Sequence, residues 1–259
     1  MTLHHDISGN GPDLLLFHGW AMHGGIFAPV LPNLRQHFRV HCIDLPGHGR
    51  SIGSRLPLDF EAVWQQLLPR LEQPVHVMGW SLGGLFALHG AIHHPTVCRG
   101  LIMHNASPCF VQRPDWQQGM PAQVFRQFAD DLLADYERTL HRFFMLEAQG
   151  SEQLRADLRL LQKTAFEFGR PDARVLTEGL HLLESTDMRA ALPALRVPSL
   201  WLAGRRDRLV NPVAMQQAST LANGDYACDE HGGHAPFLTH PDNTLQALAA
   251  FTEAAHACP

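Results

Sequence analysis

The stretch Gly79-Trp80-Ser81-Leu82-Gly83 has the spacing G-x-S-x-G, in which glycines permit a turn too tight for bulkier residues around a central serine. It follows the apolar run Val75 to Met78 and opens a segment of helical spacing, Leu82 to His93, so Ser81 is placed where a strand passes into a helix. Such a turn projects the hydroxyl out of the sheet. A serine hydroxyl is a weak nucleophile at neutral pH and needs a base within hydrogen-bond reach, itself oriented by an acid. The last third of the chain supplies both. Asp207 lies beyond the apolar run Ser199 to Ala203, in the loop Gly204-Arg205-Arg206-Asp207. His234 follows the next run, in the loop His231-Gly232-Gly233-His234-Ala235-Pro236. Both loops leave the carboxyl ends of expected strands, where parallel sheets deliver side chains to a site. Asp187 precedes its strand, Asp225 begins one and Asp229 is nearly adjacent to the histidine loop, which leaves Asp207 as the expected acid. His231 is the rival base and reads instead as a solvated loop residue.

Acyl transfer also requires donors aimed at the oxygen that becomes negative in the tetrahedral intermediate. The backbone N–H of Leu82, just after the serine, is one expected donor. The second is expected from the loop Phe17-His18-Gly19-Trp20 after an early strand, through the backbone N–H of Trp20. The Trp20 indole then lines the pocket, with plain core filling as the alternative reading. His18 is expected to buttress that loop.

The elements that must position these groups are readable in outline. Apolar runs at Asp13 to Phe17, Arg39 to Ile43, Val75 to Met78 and Leu101 to His104 read as buried strands. Helical spacing at Ile26 to His37, Phe60 to Leu71 and Leu82 to His93 alternates with them. That alternation implies an α/β fold with a mostly parallel sheet covered on both faces. From Pro108 to Ser185 the chain becomes amphipathic and helical, with breaks at Pro121, near Asp135, at Gly150-Ser151 and at Gly169 to Pro171. This segment reads as a four-helix cap, 108–185, inserted into a core of 1–107 and 186–259. Strand character resumes at Ser199 to Ala203 and Asp225 to Cys228, and a last helix is expected over Thr244 to Ala255.

The bulk composition excludes several classes. With 259 residues, 45% hydrophobic and 17% charged, the chain can build one large core. A net charge of −5 argues against a nucleic-acid binder. No apolar window approaches the roughly 18 residues of a membrane span, and the polar start, Met1 to Gly11, lacks a signal peptide's apolar centre. A cytoplasmic monomer is the resulting expectation. Five scattered cysteines contain no C-x-x-C pair and read as reduced thiols. The 18 histidines invite a metal reading, but His4-His5, His93-His94 and His231 with His234 show no converging ligand spacing, so no metal and no cofactor are expected.

In their order along the chain, His18-Gly19-Trp20, Asp44 to Ser51 (DLPGHGRS), the serine turn, the Gly204 to Asp207 loop and the His234 loop resemble the α/β-hydrolase family. The resemblance spans the chain and implies that fold, with Ser81 as nucleophile, His234 as base and Asp207 as acid. More narrowly, GWSLGG at Gly79 to Gly84, NASPCF at Asn105 to Phe110, Asp115-Trp116 and His234-Ala235-Pro236-Phe237 are similar to the methyl ester carboxylesterases that act on pimeloyl-acyl carrier protein in biotin synthesis. That likeness implies an acyl carrier protein as partner and a pimeloyl methyl ester as substrate. A broad short-chain carboxylesterase, a carbon–carbon bond hydrolase and a ligand-binding protein without turnover are the alternatives.

The cap has features that such a partner could use. Arg138 and Arg142 are four apart on one expected helix, and Arg155, Arg159 and Lys163 follow at four-residue steps on the next. The second helix keeps its apolar stripe on Leu154, Leu158, Leu161 and Ala165, so its cations face outward. These rows could grip an acidic carrier protein, or form a solvated face balanced by Asp135, Glu137, Glu152 and Asp157. The run Phe143-Phe144-Met145-Leu146 is apolar on too many sides for one packing face. Part of it is expected to roof the acyl channel and at least half to pack the cap on the core. Glu147 is expected to meet polar substrate or solvent. Trp20, Ser81, Leu82 and His234 complete the expected substrate contacts.

Overall fold

The run Asp13–Phe17 is buried at every position, and so is Val75–Trp80, which is why both read as unbroken apolar segments. They form the middle of a sheet in the computed structural model, which describes residues 3–257. Its strands are β1 (His5–Ser8), β2 (Asp13–Phe17), β3 (Arg39–Ile43), β4 (Val75–Trp80), β5 (Cys98–His104), β6 (Ser199–Gly204) and β7 (Asp225–Asp229). Their spatial order is β1-β3-β2-β4-β5-β6-β7. All neighbours are parallel except β1, which pairs antiparallel with β3.

Helices cover the sheet. These are α1 (Leu31–His37), α2 (Phe60–Leu67), α3 (Leu82–His93), then α4 (Ala122–Ala134), α5 (Tyr136–Ala148), α6 (Leu154–Ala165) and α7 (Ala173–Ser185) between β5 and β6. The chain finishes with α8 (Pro212–Leu221), the short α9 (Pro236–Thr239) and α10 (Pro241–Ala257). The helix α3 is apolar almost all round, and its residues Leu82 to Leu88 are buried, so it lies inside the molecule behind the serine turn. Among the described residues, no helix is long and apolar enough to cross a membrane.

The expected strands appear within a few residues of their anticipated limits. Besides the segment expected as helical over Phe60 to Leu71, which ends as α2 at Leu67 and continues as a 3-10 turn at Leu68–Arg70, two elements differ. The first is β1, whose polar sequence His5-Asp6-Ile7-Ser8 has no apolar alternation because it lies on the sheet edge, half exposed. The second is the segment expected as one helix over Ile26 to His37. It divides into a 3-10 turn at Gly24–Phe27 and α1, whose first turn begins beside Pro32. The breaks anticipated at Pro121, Asp135, Gly150 and Gly169 do separate the four helices from Ala122 to Ser185. Asp135 ends α4 and caps α5, its side chain accepting from the Arg138 N–H.

Candidate active site

The serine turn joins β4 to α3. Ser81 has φ 55° and ψ −123°, a conformation that non-glycine residues rarely adopt and that the packing around it must enforce. The flanking glycines explain how. A Cβ on Gly79 would collide with the Gly83 carbonyl, and one on Gly83 would collide with the Phe17 carbonyl of β2. The motif therefore allows the start of α3 to press against two strands at once. Gly19 has a similar role, since a Cβ there would lie 3.2 Å from Ser81 Cβ and 3.0 Å from the Trp80 ring.

Three distant parts of the chain converge on this turn. His234 Nε2 lies 3.0 Å from Ser81 Oγ, and His234 Nδ1 lies 2.8 Å from Asp207 Oδ2. With Nδ1–H donating to the carboxylate, the bare Nε2 can accept the serine proton. Asp207 is itself saturated. Its Oδ1 accepts from the N–H groups of Leu209 (2.8 Å) and Val210 (3.0 Å), and its Oδ2 also accepts from Asn105 Nδ2 at 2.8 Å. In each of these hydrogen bonds it is the acceptor. Ser81 is 5% exposed, Asp207 7% and His234 0%, so the trio is withdrawn from bulk water.

Two further residues fix this geometry, and neither was marked as functional by the sequence. Asn105, at φ 44° just after β5, donates both to Asp207 and to the Gly233 carbonyl at 3.0 Å. It ties the acid to the loop that carries the base. Trp80 donates its indole N–H to the His234 carbonyl at 2.8 Å. The available signal was positional, since Asn105 occupies the carboxyl end of a strand next to those that deliver Ser81 and Asp207.

The backbone N–H of Trp20 has no backbone acceptor among the described residues, and Leu82 occupies the first position of α3, where an N–H has no partner within the helix. The Trp20 side chain is fully buried. Its indole donates to the Leu176 carbonyl of α7 at 2.8 Å and its ring meets Phe143 at 4.6 Å, so it joins core and overlying helices. His18 buttresses as expected: its Nδ1–H donates to the Gly19 carbonyl and its Nε2 accepts from the Leu45 N–H. Burial pushes its pKa down to about 3, which keeps it neutral for that double role. His231 is exposed and pairs with Glu152 at 3.2 Å, away from Ser81.

The run on α5 is split by the helix. Phe143 faces Trp20, Phe144 is buried and meets Phe166 beyond the end of α6, and Leu146 is half-buried. Met145 is the most exposed of the four, at 38%, and turns outward rather than toward Trp20. Glu147 does not meet solvent either. It is sealed inside, neither carboxylate oxygen has a hydrogen-bond partner, and burial, with the nearby charge of Asp207, raises its pKa well above the usual carboxylate range. Phe143 and Glu147, four apart, thus share the inward face.

The cations on α5 and α6 are exposed, as expected, but they are not equivalent. Arg142 pairs with Asp131 at 3.0 Å and lies over the Phe128 ring. Arg138, Arg155, Arg159 and Lys163 make no ion pair among the described residues. The acids that could have balanced them are used elsewhere: Asp135 caps α5, Glu137 pairs with Arg170, Glu152 with Arg206, and Asp157 is buried.

A strand-to-helix serine, a histidine and an aspartate from successive strand ends, on a mostly parallel sheet, define a hydrolase of one architecture. The chain belongs to the α/β hydrolase fold family, whose sequence profile matches residues 12–241. The esterase from Exiguobacterium antarcticum superposes with a TM-score of 0.88 at 20% identity, covering 97% of this chain and 95% of that one. The enol-lactonase from Burkholderia xenovorans LB400 gives 0.84 at 20% identity, over 97% and 96%. Much more similar in sequence is the pimeloyl-[acyl-carrier protein] methyl ester esterase of Stenotrophomonas maltophilia K279a, 50% identical over 253 residues and 97% of each chain. The protein of the same name from Xanthomonas campestris pv. campestris B100 is 47% identical over 253 residues, 97% of this chain and 99% of that one.

Proposed function

We propose that this chain is a serine carboxylesterase that hydrolyses the methyl ester of pimeloyl-acyl carrier protein, releasing methanol and the free carboxylate for biotin synthesis. The observation that carries this reading is 50% identity over 97% of both chains to an esterase named for that substrate. The hydrogen-bonded Ser81, His234 and Asp207 supply the chemistry it needs. Residues 1–107 and 186–259 form the hydrolase core in this reading, and 108–185 the cap.

Ser81 Oγ attacks the ester carbonyl while His234 Nε2 takes its proton, and Asp207 holds the imidazole in the tautomer that can do so. The backbone N–H groups of Trp20 and Leu82 receive the oxyanion. When the tetrahedral adduct collapses, the C–O bond to the methoxy group breaks and His234 returns the proton, so methanol leaves. Water then attacks the acyl-serine, with His234 again as base, and regenerates Ser81. Phe143 and Trp20 form the apolar wall for the acyl chain. No metal or organic cofactor enters any step.

Arg138, Arg155, Arg159 and Lys163 give an acidic carrier protein an unneutralised basic face, with Arg142 beside them. Acting on a carrier-bound intermediate implies the compartment that holds the carrier, the cytoplasm. The test is hydrolysis of the carrier-bound methyl ester against free pimeloyl methyl ester. A kcat/KM at least about tenfold higher for the carrier form is expected, about 1.4 kcal/mol of added transition-state binding. Equal values for the two would leave a general carboxylesterase.

A further inference from the structure

At the end of α3 remote from Ser81, three side chains that the proposed hydrolysis does not use converge. His89 Nε2 and His94 Nε2 each lie 3.1 Å from Glu61 Oε2, and the three atoms are all within 4.8 Å of one another. We propose that Glu61, His89 and His94 form a binding site for a divalent cation of the zinc class, bracing α2 against the carboxyl end of α3.

Several features of the fold hold these atoms in place. A Cβ on Gly90 would collide with the Trp64 indole, so the glycine lets α2 approach α3 closely, and Trp64 Nε1 donates to the Phe86 carbonyl at 2.8 Å. That contact brings Glu61, on the same side of α2, to the two imidazoles. Each imidazole is steadied by an aromatic neighbour: Phe60 stacks on His89 with centroids 5.4 Å apart, and Trp64 lies 5.5 Å from His94. Gln65 donates to Glu61 Oε1, which leaves Oε2 to face the histidines. Supporting hydrogen bonds of this kind orient a ligating carboxylate.

The donor set and its dimensions select the cation. Zinc bonded at about 2.0 to 2.1 Å in a tetrahedron separates adjacent ligand atoms by about 3.3 Å, close to the observed nitrogen–oxygen distances. Two imidazole nitrogens with one carboxylate oxygen suit zinc and its neighbours, whereas magnesium and calcium prefer oxygen alone. The Glu61 side chain is 47% exposed and those of His89 and His94 are 12% and 16% exposed, so a hydrated ion can enter and keep water on its remaining positions.

The test uses untagged, chelator-stripped protein titrated with zinc chloride at about pH 7.5, by calorimetry and by thermal unfolding. Expected for the unmodified protein is one tight site per chain and a rise in Tm. Glu61→Gln keeps a carbonyl for hydrogen bonding but loses the anionic ligand, and His94→Ala loses one nitrogen. Each should weaken zinc binding at least about tenfold. His231→Ala, in the separate exposed group with Glu152 and His240, should bind as before. Cobalt(II) should give a visible absorption band that is lost in the same two variants, and circular dichroism confirms that both are folded. Zinc affinity unchanged in Glu61→Gln and His94→Ala, or no binding by the unmodified protein, would reduce the cluster to hydrogen-bonded surface residues and overturn the proposal.

Discussion

Replacing Asn105 should cripple turnover while leaving binding nearly intact, because its side chain connects the acid to the loop of the base. Nδ2 donates to Asp207 at 2.8 Å and to the Gly233 carbonyl at 3.0 Å. Asn105→Gly removes both bonds and keeps φ 44° accessible, whereas Asn105→Ala removes them and adds a Cβ in the left-handed region. Losing a donor to a buried carboxylate costs about 1.5 to 3 kcal/mol, and stranding the Gly233 carbonyl adds about 1. Asn105→Gly should therefore destabilise by about 3 kcal/mol, and Asn105→Ala by about 1 kcal/mol more. Asp207 is left with one partner fewer on the oxygen that holds His234, so the imidazole samples orientations that do not meet Ser81. Misalignment of this order lowers rates by about a hundredfold. Steady-state kinetics on a p-nitrophenyl ester, with urea unfolding of the same samples, separates the two effects. A fall in kcat with KM nearly constant is expected for Asn105→Gly. If folded Asn105→Gly turns over within about twofold of the unmodified enzyme, Asn105 is packing and the positioning argument fails.

Glu147→Gln should stabilise the protein at neutral pH. The folded carboxyl titrates well above the usual range because it is buried without a partner, so between the unfolded value near 4.3 and that raised value only the unfolded state loses its proton, and stability falls as pH rises. The variant's gain in Tm, a few degrees for about 1 to 3 kcal/mol, should vanish below about pH 4, and a pH-independent gain would refute the assignment. The buried histidines act in the opposite direction. His18 is pushed down to about 3, and His48 and His104 to about 4, by burial, so their contribution is complete above about pH 6.5 and is lost as pH falls through the window below it. Urea midpoints should drop steeply between pH 6.5 and 4.5, each histidine adding about 1.4 kcal/mol per unit, and flat midpoints there would contradict the burial argument. On the cap, Arg159→Glu should reduce kcat/KM for carrier-bound ester more than Arg142→Glu, because Arg142 is already paired with Asp131. Equal losses, or a matching loss on a free ester, would remove the distinction.

The sheet and the hydrogen-bonded trio were legible because their signals are local. A fully buried parallel strand such as β2 is an uninterrupted apolar run, a glycine pattern marks the turn at Ser81, and strand ends mark Asp207 and His234. The helices α4 to α7 were delimited by Pro, Gly and a capping Asp, which act within a few residues. What escaped depends on packing between distant segments. Asn105 shares the strand-end position, but its role rests on partners 102 and 128 residues away. Glu61 is 28 residues from His89 and 33 from His94, so no spacing rule could unite them, and the His93-His94 pair drew attention to a doublet of which only one member joins the cluster. The apolar run on α5 was ambiguous because helical phase within the cap is decided by what covers it, and that sends Met145 outward and seals Glu147 inside.

The claim on which the proposed reaction rests is that Ser81 carries the acyl group. Intact-protein mass spectrometry after rapid quenching of a reaction with a slowly hydrolysed pimeloyl ester tests it most directly. An acyl adduct mapping to the peptide that contains Ser81, absent from Ser81→Ala together with turnover, is the expected result. Hydrolysis by folded Ser81→Ala at the rate of the unmodified protein, or an adduct on another residue, would contradict it.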